Sequence, residues 1–258
     1  MKEVIRKIII VVLLGVMVYS GYNIVKIIAD YSKGDKFYEE TRQEFYVENE
    51  TAQNNEENNI TAGTGEAEQI PLENQIDFEK LKAVNEDIEG WIRIEDTNID
   101  YPVLKSKKSN DDYIHTSYDG KYSGFGSVFV DYRNSSDFED KNTIIYAHNM
   151  KNGAMFNNIT KYRKNDFASS HKIIRLLTKN GEEDYMVYSA YKTLANSQSY
   201  DYSFKDDDFS DFVDMTNRNS LIDTGEKATS EDKIITLSTC TDTGRTANRF
   251  VVHAKLIK

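Results

Sequence analysis

The chain has 258 residues, 32 Lys+Arg against 43 Asp+Glu, and a formal net charge of -11. That balance works against a nucleic-acid partner, because affinity for a phosphate backbone is drawn from Lys and Arg. Cys240 is the single cysteine, which excludes an intramolecular disulfide and a thiolate cluster for structural zinc or an iron-sulfur centre.

The first element is apolar. Ile8 to Tyr19 reads IIIVVLLGVMVY, and apolar residues resume from Ile24 to Ile28 around Lys26. A hydrocarbon core of about 30 Å takes roughly 20 apolar residues, so Val4 to Ile28 is long enough to span it, with Lys26 reaching back to the headgroups. Lys2, Arg6 and Lys7 precede the run, and the positive-inside rule then predicts a cytoplasmic amino terminus and an extracytoplasmic remainder. A signal peptide cut near Ser20 and Gly21 is the competing reading; the apolar continuation favours an uncleaved anchor, and both export the downstream chain.

Residues 1–30 are therefore expected to be a membrane anchor, 31–75 a flexible polar linker and 76–258 the globular domain. The linker is rich in Glu, Asn, Gln and Thr and has little to bury. Around Phe37 to Val47 the alternative is an extension of the membrane helix or a short amphipathic helix.

Ile76, Phe78, Leu81, Val84 and Ile88 follow a helical period, and Gly90 is a candidate stop. Beyond it, eight runs rich in β-branched and aromatic residues recur: 91–94, 99–104, 126–132, 143–148, 172–177, 185–191, 233–240 and 250–257. Before the seventh run, Asp206 to Asp208 precede an apolar stripe at Phe209, Phe212, Val213, Met215 and Thr216, which predicts a helix. There is no βαβ alternation, glycine-rich phosphate loop or fixed-period repeat, so the architecture expected is a mainly β barrel or sandwich with peripheral helices.

Three residues stand out chemically. Cys240 ends the run DKIITLSTC, where period-two alternation groups it with Thr236 and Ser238 on one face. A lone cysteine is more often a small buried apolar residue than a nucleophile, so its partners decide its role. His148 closes TIIYAHN ahead of an Asn- and Gly-containing loop; His115, His171 and His253 are rivals with less clear strand-end settings. Arg249 opens the last run just after the loop that follows Cys240, and would face the cysteine if the two strands pair. A guanidinium there can donate to a developing oxyanion. Arg245 is its rival.

The segments YAHNMKNGAMFNNI, TLSTC and NRFVVHAKLIK, with WIRIEDTNIDYPVL and SVFVDYRN upstream, resemble the sortases, and class B sortases in particular. The resemblance covers about residues 76 to 258. It implies an eight-stranded sortase-type β-barrel with N-terminal helices and a long helix before the seventh strand. By the same resemblance Cys240 is the nucleophile, His148 the general acid or base and Arg249 the stabiliser of substrate or oxyanion. Ser238, Asp242 and Asn149 are carried over as candidates for the substrate groove.

The activity so implied is transpeptidation. A membrane-anchored enzyme cleaves an NPxTx-like C-terminal sorting signal of secreted proteins after Thr, and passes the acyl group to an amine of a peptidoglycan precursor, with no metal or cofactor. Release of the acyl group to water, as by a cysteine endopeptidase, and polymerisation of pilins are the alternatives within this chemistry. A catalytically inert binding module is the alternative outside it.

Overall fold

The computed structural model describes residues 2–46, 76–205, 207–240 and 247–257. The chain divides into two compact units, residues 1–40 and 41–258. Helix α1 runs from Lys2 to Phe45. Its amino-terminal part is apolar and long enough to cross a membrane, and its apolar side chains are exposed. The helix does not stop at residue 30, so the first third of the expected spacer is helical. Neither proline of the chain falls in that stretch, and the Lys36–Glu40 pair at 3.4 Å adds support one turn apart. The rest of the expected linker, 47–75, lies outside the described residues.

In the larger unit, α2 (Phe78–Val84) is capped by Asp77, whose carboxylate accepts from the Lys80 backbone N–H at 2.9 Å. The helix is shorter than its apolar period suggests. Asn85 turns the chain by accepting from the Asp87 N–H at 3.0 Å, so Ile88 and Gly90 already belong to β1 (Ile88–Arg93). Gly90 is a packing position and not a helix stop: a Cβ there would lie 3.0 Å from the Leu177 carbonyl oxygen and 3.2 Å from the Phe138 ring.

Eight strands follow: β1, β2 (Asp100–Leu104), β3 (Val128–Val130), β4 (Asn142–Tyr146), β5 (Ile173–Thr178), β6 (Gly181–Leu194), β7 (Ile234–Cys240) and β8 (Asn248–Leu256). They close into a barrel in the order β1-β2-β3-β4-β7-β8-β6-β5. The β2–β3 and β4–β7 pairs are parallel and the rest antiparallel. Among the described residues closure leaves no open sheet edge, and Trp91, Ile92, Val103, Ile145, Leu177 and Leu237 are fully buried. The expected eight-stranded barrel is thus present, with β6 longer and β3 shorter than their apolar runs.

Helix α3 (Asn165–Ser170) and three 3-10 turns, Asn110–Tyr113, Phe156–Arg163 and Gln198–Tyr200, were not apparent from periodicity. Helix α4 (Asp208–Asn219) precedes β7 as expected. Its Phe209, Phe212 and Val213 pack on Tyr188, Ala228 and Ile234, and Thr216 exchanges a hydrogen bond of 2.9 Å with the Tyr188 hydroxyl.

Behind α4 lies a fully buried histidine. His253 Nδ1 is 2.8 Å from Thr236 Oγ1, and the Thr236 hydroxyl donates to Asn142 Oδ1 at 2.7 Å. The threonine oxygen must therefore accept from His253, which makes the ring a neutral Nδ1–H tautomer whose Nε2 can accept from the Tyr191 hydroxyl at 3.1 Å. Burial pushes the proton affinity of this imidazole down from the ordinary 6.5 to about 3. As pH falls below about 6.5 the unfolded chain takes up this proton and the folded chain does not. The associated stability is complete above that pH and declines by about 1.4 kcal/mol per pH unit toward the folded value. Denaturant unfolding at pH 5 should give a stability roughly 2 kcal/mol below that at pH 7, and His253→Gln should flatten the slope; identical slopes would refute the assignment.

Candidate active site

The parallel pairing of β4 with β7 places two strand ends at the same rim of the barrel. Tyr146 pairs with Ser238 at the end of this ladder. Beyond it the Ala147 N–H donates to the Ser238 carbonyl at 3.3 Å, and the Thr239 hydroxyl donates to the Ala147 carbonyl at 2.8 Å. These bonds carry the chain of β4 alongside β7 past its last ladder pair, to His148 on one side and Cys240 on the other. Strand β8 returns antiparallel from the same rim, and its register puts Arg249 directly opposite Cys240.

The three side chains converge on one cleft of about 260 Å³, also lined by Asn110, Ile114, Tyr146, Tyr200 and Ser238. Cys240 is partly exposed there. His148 lies two residues past the end of β4, in the segment leading to the loop, and not within the strand. Its Nε2 is 2.7 Å from the Ile114 carbonyl oxygen. A carbonyl can only accept, so Nε2 carries a proton and Nδ1 is the atom free to gain or lose one. Burial lowers the proton affinity of His148, the Ile114 carbonyl opposes that in part, and His115 lowers it further.

The rival histidines have other surroundings. His253 is in the core, and His171 stacks on Phe167 with ring centroids 3.9 Å apart at the end of α3. His115 stacks on His148 itself, with centroids 5.5 Å apart. Arg245 and Asp242 lie outside the described residues.

Ser238 lines the cleft, its hydroxyl 2.8 Å from the Tyr200 hydroxyl. Burial pushes Tyr200 up to about 12, against the hydrogen bond to Ser238, so the phenol keeps its proton. Asn149 is engaged differently: its amide donates to the Cys240 carbonyl at 2.8 Å and its oxygen accepts from Asn157 at 2.7 Å. That side chain ties the β4 end to the β7 end, and it is not among the residues lining the cleft.

Tyr146, Tyr200 and Asn110 were not foreseen as cleft residues from the sequence. Two of them rest on Asp131, a fully buried carboxylate. It accepts from Tyr146 at 2.9 Å, from Asn110 at 3.2 Å and from the Arg133 guanidinium at 2.9 Å on each oxygen. Burial alone would raise this carboxyl, but Arg133 and Tyr146 together hold it below the usual range. Its signal was the polar residues of SVFVDYRN, a charged pair at the end of an otherwise apolar strand.

Comparison with known proteins places the barrel in a known family. A sortase domain profile matches residues 92–257. The chain is 33% identical to Sortase B of Listeria monocytogenes over 258 residues, 99% of this chain and 98% of the relative. Among solved structures, a Staphylococcus aureus sortase B-substrate complex superposes with a TM-score of 0.67 at 39% identity, over 70% of this chain and 84% of that one. A sortase B complexed with triglycine matches with a TM-score of 0.67 at 38% identity, over 74% and 88%. With a shared barrel, a matching domain and end-to-end similarity to a relative, this chain belongs to the sortase family and is a cysteine transpeptidase of the sortase B type.

Proposed function

We propose that Cys240 is the nucleophile of a sorting-signal transpeptidase, with Arg249 stabilising the oxyanion and His148 moving the proton. The observation that carries this reading is the convergence of all three on one cleft, with Arg249 opposite Cys240 in the β7–β8 register. The Cys240 thiolate attacks the carbonyl carbon of the signal's threonine, the arginine donates to the oxygen that becomes negative, and Nδ1 of His148 gives a proton to the departing amine as the C–N bond breaks. A thioester remains. An incoming amine then attacks the same carbon, surrenders its proton to the imidazole and expels the thiolate.

The half-buried setting of His148 suits the donor role. An imidazolium whose charge is disfavoured by burial releases its proton readily to a leaving amine. The resemblance to class B sortases points to an NPxTx-like signal cleaved after Thr, and the triglycine bound by a relative favours an amine acceptor such as a peptidoglycan precursor. The apolar run of α1, with Lys2, Arg6 and Lys7 ahead of it, favours a membrane anchor with a cytoplasmic amino terminus and an extracellular catalytic unit. Its protein substrates would then be secreted proteins bearing a C-terminal signal.

The full chain in detergent micelles, given NPxTx-type peptides and triglycine, should yield a peptide–triglycine amide and a transient acyl adduct on Cys240 by mass spectrometry. Cys240→Ala should abolish both, and hydrolysis alone at saturating triglycine would overturn the transpeptidase reading in favour of an endopeptidase. Arg249→Ala should lower kcat by roughly 10²–10³, as for loss of an oxyanion donor, while leaving the melting temperature nearly unchanged. Asn149→Ala should cost about 1 kcal/mol of stability and lower kcat more than KM, because it frees the end of β7; a pure KM effect would instead assign Asn149 to the substrate groove.

A further inference from the structure

The loop between the 3-10 turn Asn110–Tyr113 and β3 touches His148 twice. Its Ile114 carbonyl holds the Nε2 edge of the ring at 2.7 Å, and the ring of the next residue, His115, lies against the imidazole at 5.5 Å between centroids and an interplanar angle of 26°. The loop is built to stay in place. Thr116 bridges Tyr122, the Ser123 N–H donates to the His115 carbonyl at 2.9 Å, and the Ser127 hydroxyl donates to the Thr116 carbonyl at 2.7 Å. Gly126, at a φ of +60°, passes directly under the anchoring carbonyl: a Cβ there would sit 2.3 Å from Ile114 O and 2.7 Å from Tyr113 O. Only glycine tolerates both that conformation and that approach.

We propose that His115 is a positioning residue for His148, holding the face of its imidazole and disfavouring a second proton on it. This rests on the reading of His148 as the group that carries the proton. When His115 is itself charged, two imidazolium rings would lie face to face, so a proton entering the cleft is more easily lost to a leaving amine. Among the described residues, several carboxylates of this region have partners of their own. Tyr122, from the same loop, tilts over the outer side of His115 at 6.2 Å. Asp112 accepts from Ser106, Asp119 is paired with Lys121 at 2.6 Å, and Asp87 accepts from Tyr113 at 2.7 Å. From β7 and β8, Cys240 and Arg249 share the cleft with His148. His115 is exposed, while His148 lines the cleft.

The test is a titration of the full chain in detergent micelles carrying ring-labelled histidine, which gives signals from four side chains only. His115→Phe keeps a ring against His148 and removes the charge. The expected result is an upward shift of the His148 midpoint relative to the unaltered chain, accompanied by an upward shift of the basic limb of the kcat/KM profile. His115→Ala, which also removes the ring, should in addition lower kcat by roughly tenfold through loss of alignment. Should His115→Phe fail to fold, His115→Gln removes the same charge from an exposed position and serves in its place. A His148 midpoint that does not move in the charge-free variant overturns the proposal, whatever the turnover. Because the midpoint needs no substrate, a shifted midpoint upholds it even if peptide assays defeat the transpeptidase reading.

Discussion

The site depends on one backbone constraint, the parallel pairing of β4 with β7. Adjacent parallel strands end at the same rim, so a histidine just after one and a cysteine at the end of the other become neighbours although 92 positions separate them in sequence. Parallel pairing needs a long crossover, and here the connection holds β5, β6 and α4. The antiparallel return through β8 adds the guanidinium at no further topological demand. Two short contacts, Thr239 to the Ala147 carbonyl and Asn149 to the Cys240 carbonyl, at 2.8 Å each, extend the register beyond the last ladder pair, where sheet hydrogen bonds no longer do so.

Around this frame, buried polar groups orient the walls of the cleft. Asp131 collects the donors of Arg133, Asn110 and Tyr146 and so fixes two cleft residues from behind. Arg133 in turn lies over the Tyr202 ring at 4.4 Å. On the opposite side, the His253–Tyr191–Ser199 chain supports the 3-10 turn that carries Tyr200. A buried polar group that lost its partner would bear its full desolvation cost, so these networks favour a single arrangement of the walls. The imidazole of His148 is met at edge and face by the hydrogen-bonded loop that follows the Asn110–Tyr113 turn.

The local rules of the chain were legible in the sequence wherever burial repeats with a period. Runs rich in β-branched and aromatic residues marked all eight strands, the stripe at Phe209, Phe212 and Val213 marked α4, and the apolar run from Ile8 marked a segment able to span a bilayer. Boundaries failed where a side chain interrupted the period. Asn85 turned the chain before Ile88, Ser199 and Tyr200 entered a 3-10 turn with too few residues for a pattern, and α1 continued through a mostly polar stretch, 31–45, where the few apolar residues left a helical extension as one alternative.

By itself the sequence singled out candidates for chemistry: one thiol, a histidine at a strand end and an arginine at a strand start, since the capacity to act as nucleophile, proton carrier or oxyanion donor is a property of residue type and local pattern. Only the tertiary structure decided which of four histidines lines one cleft with the thiol, which nitrogen of that ring the Ile114 carbonyl leaves open, and that Asn149 braces the cysteine's strand from outside the cleft. Those facts depend on strand order, on register and on a carbonyl brought from the Asn110–Tyr113 turn. Pairings between distant segments leave no periodic trace in either one, because each segment's pattern records which face is buried and not what covers it.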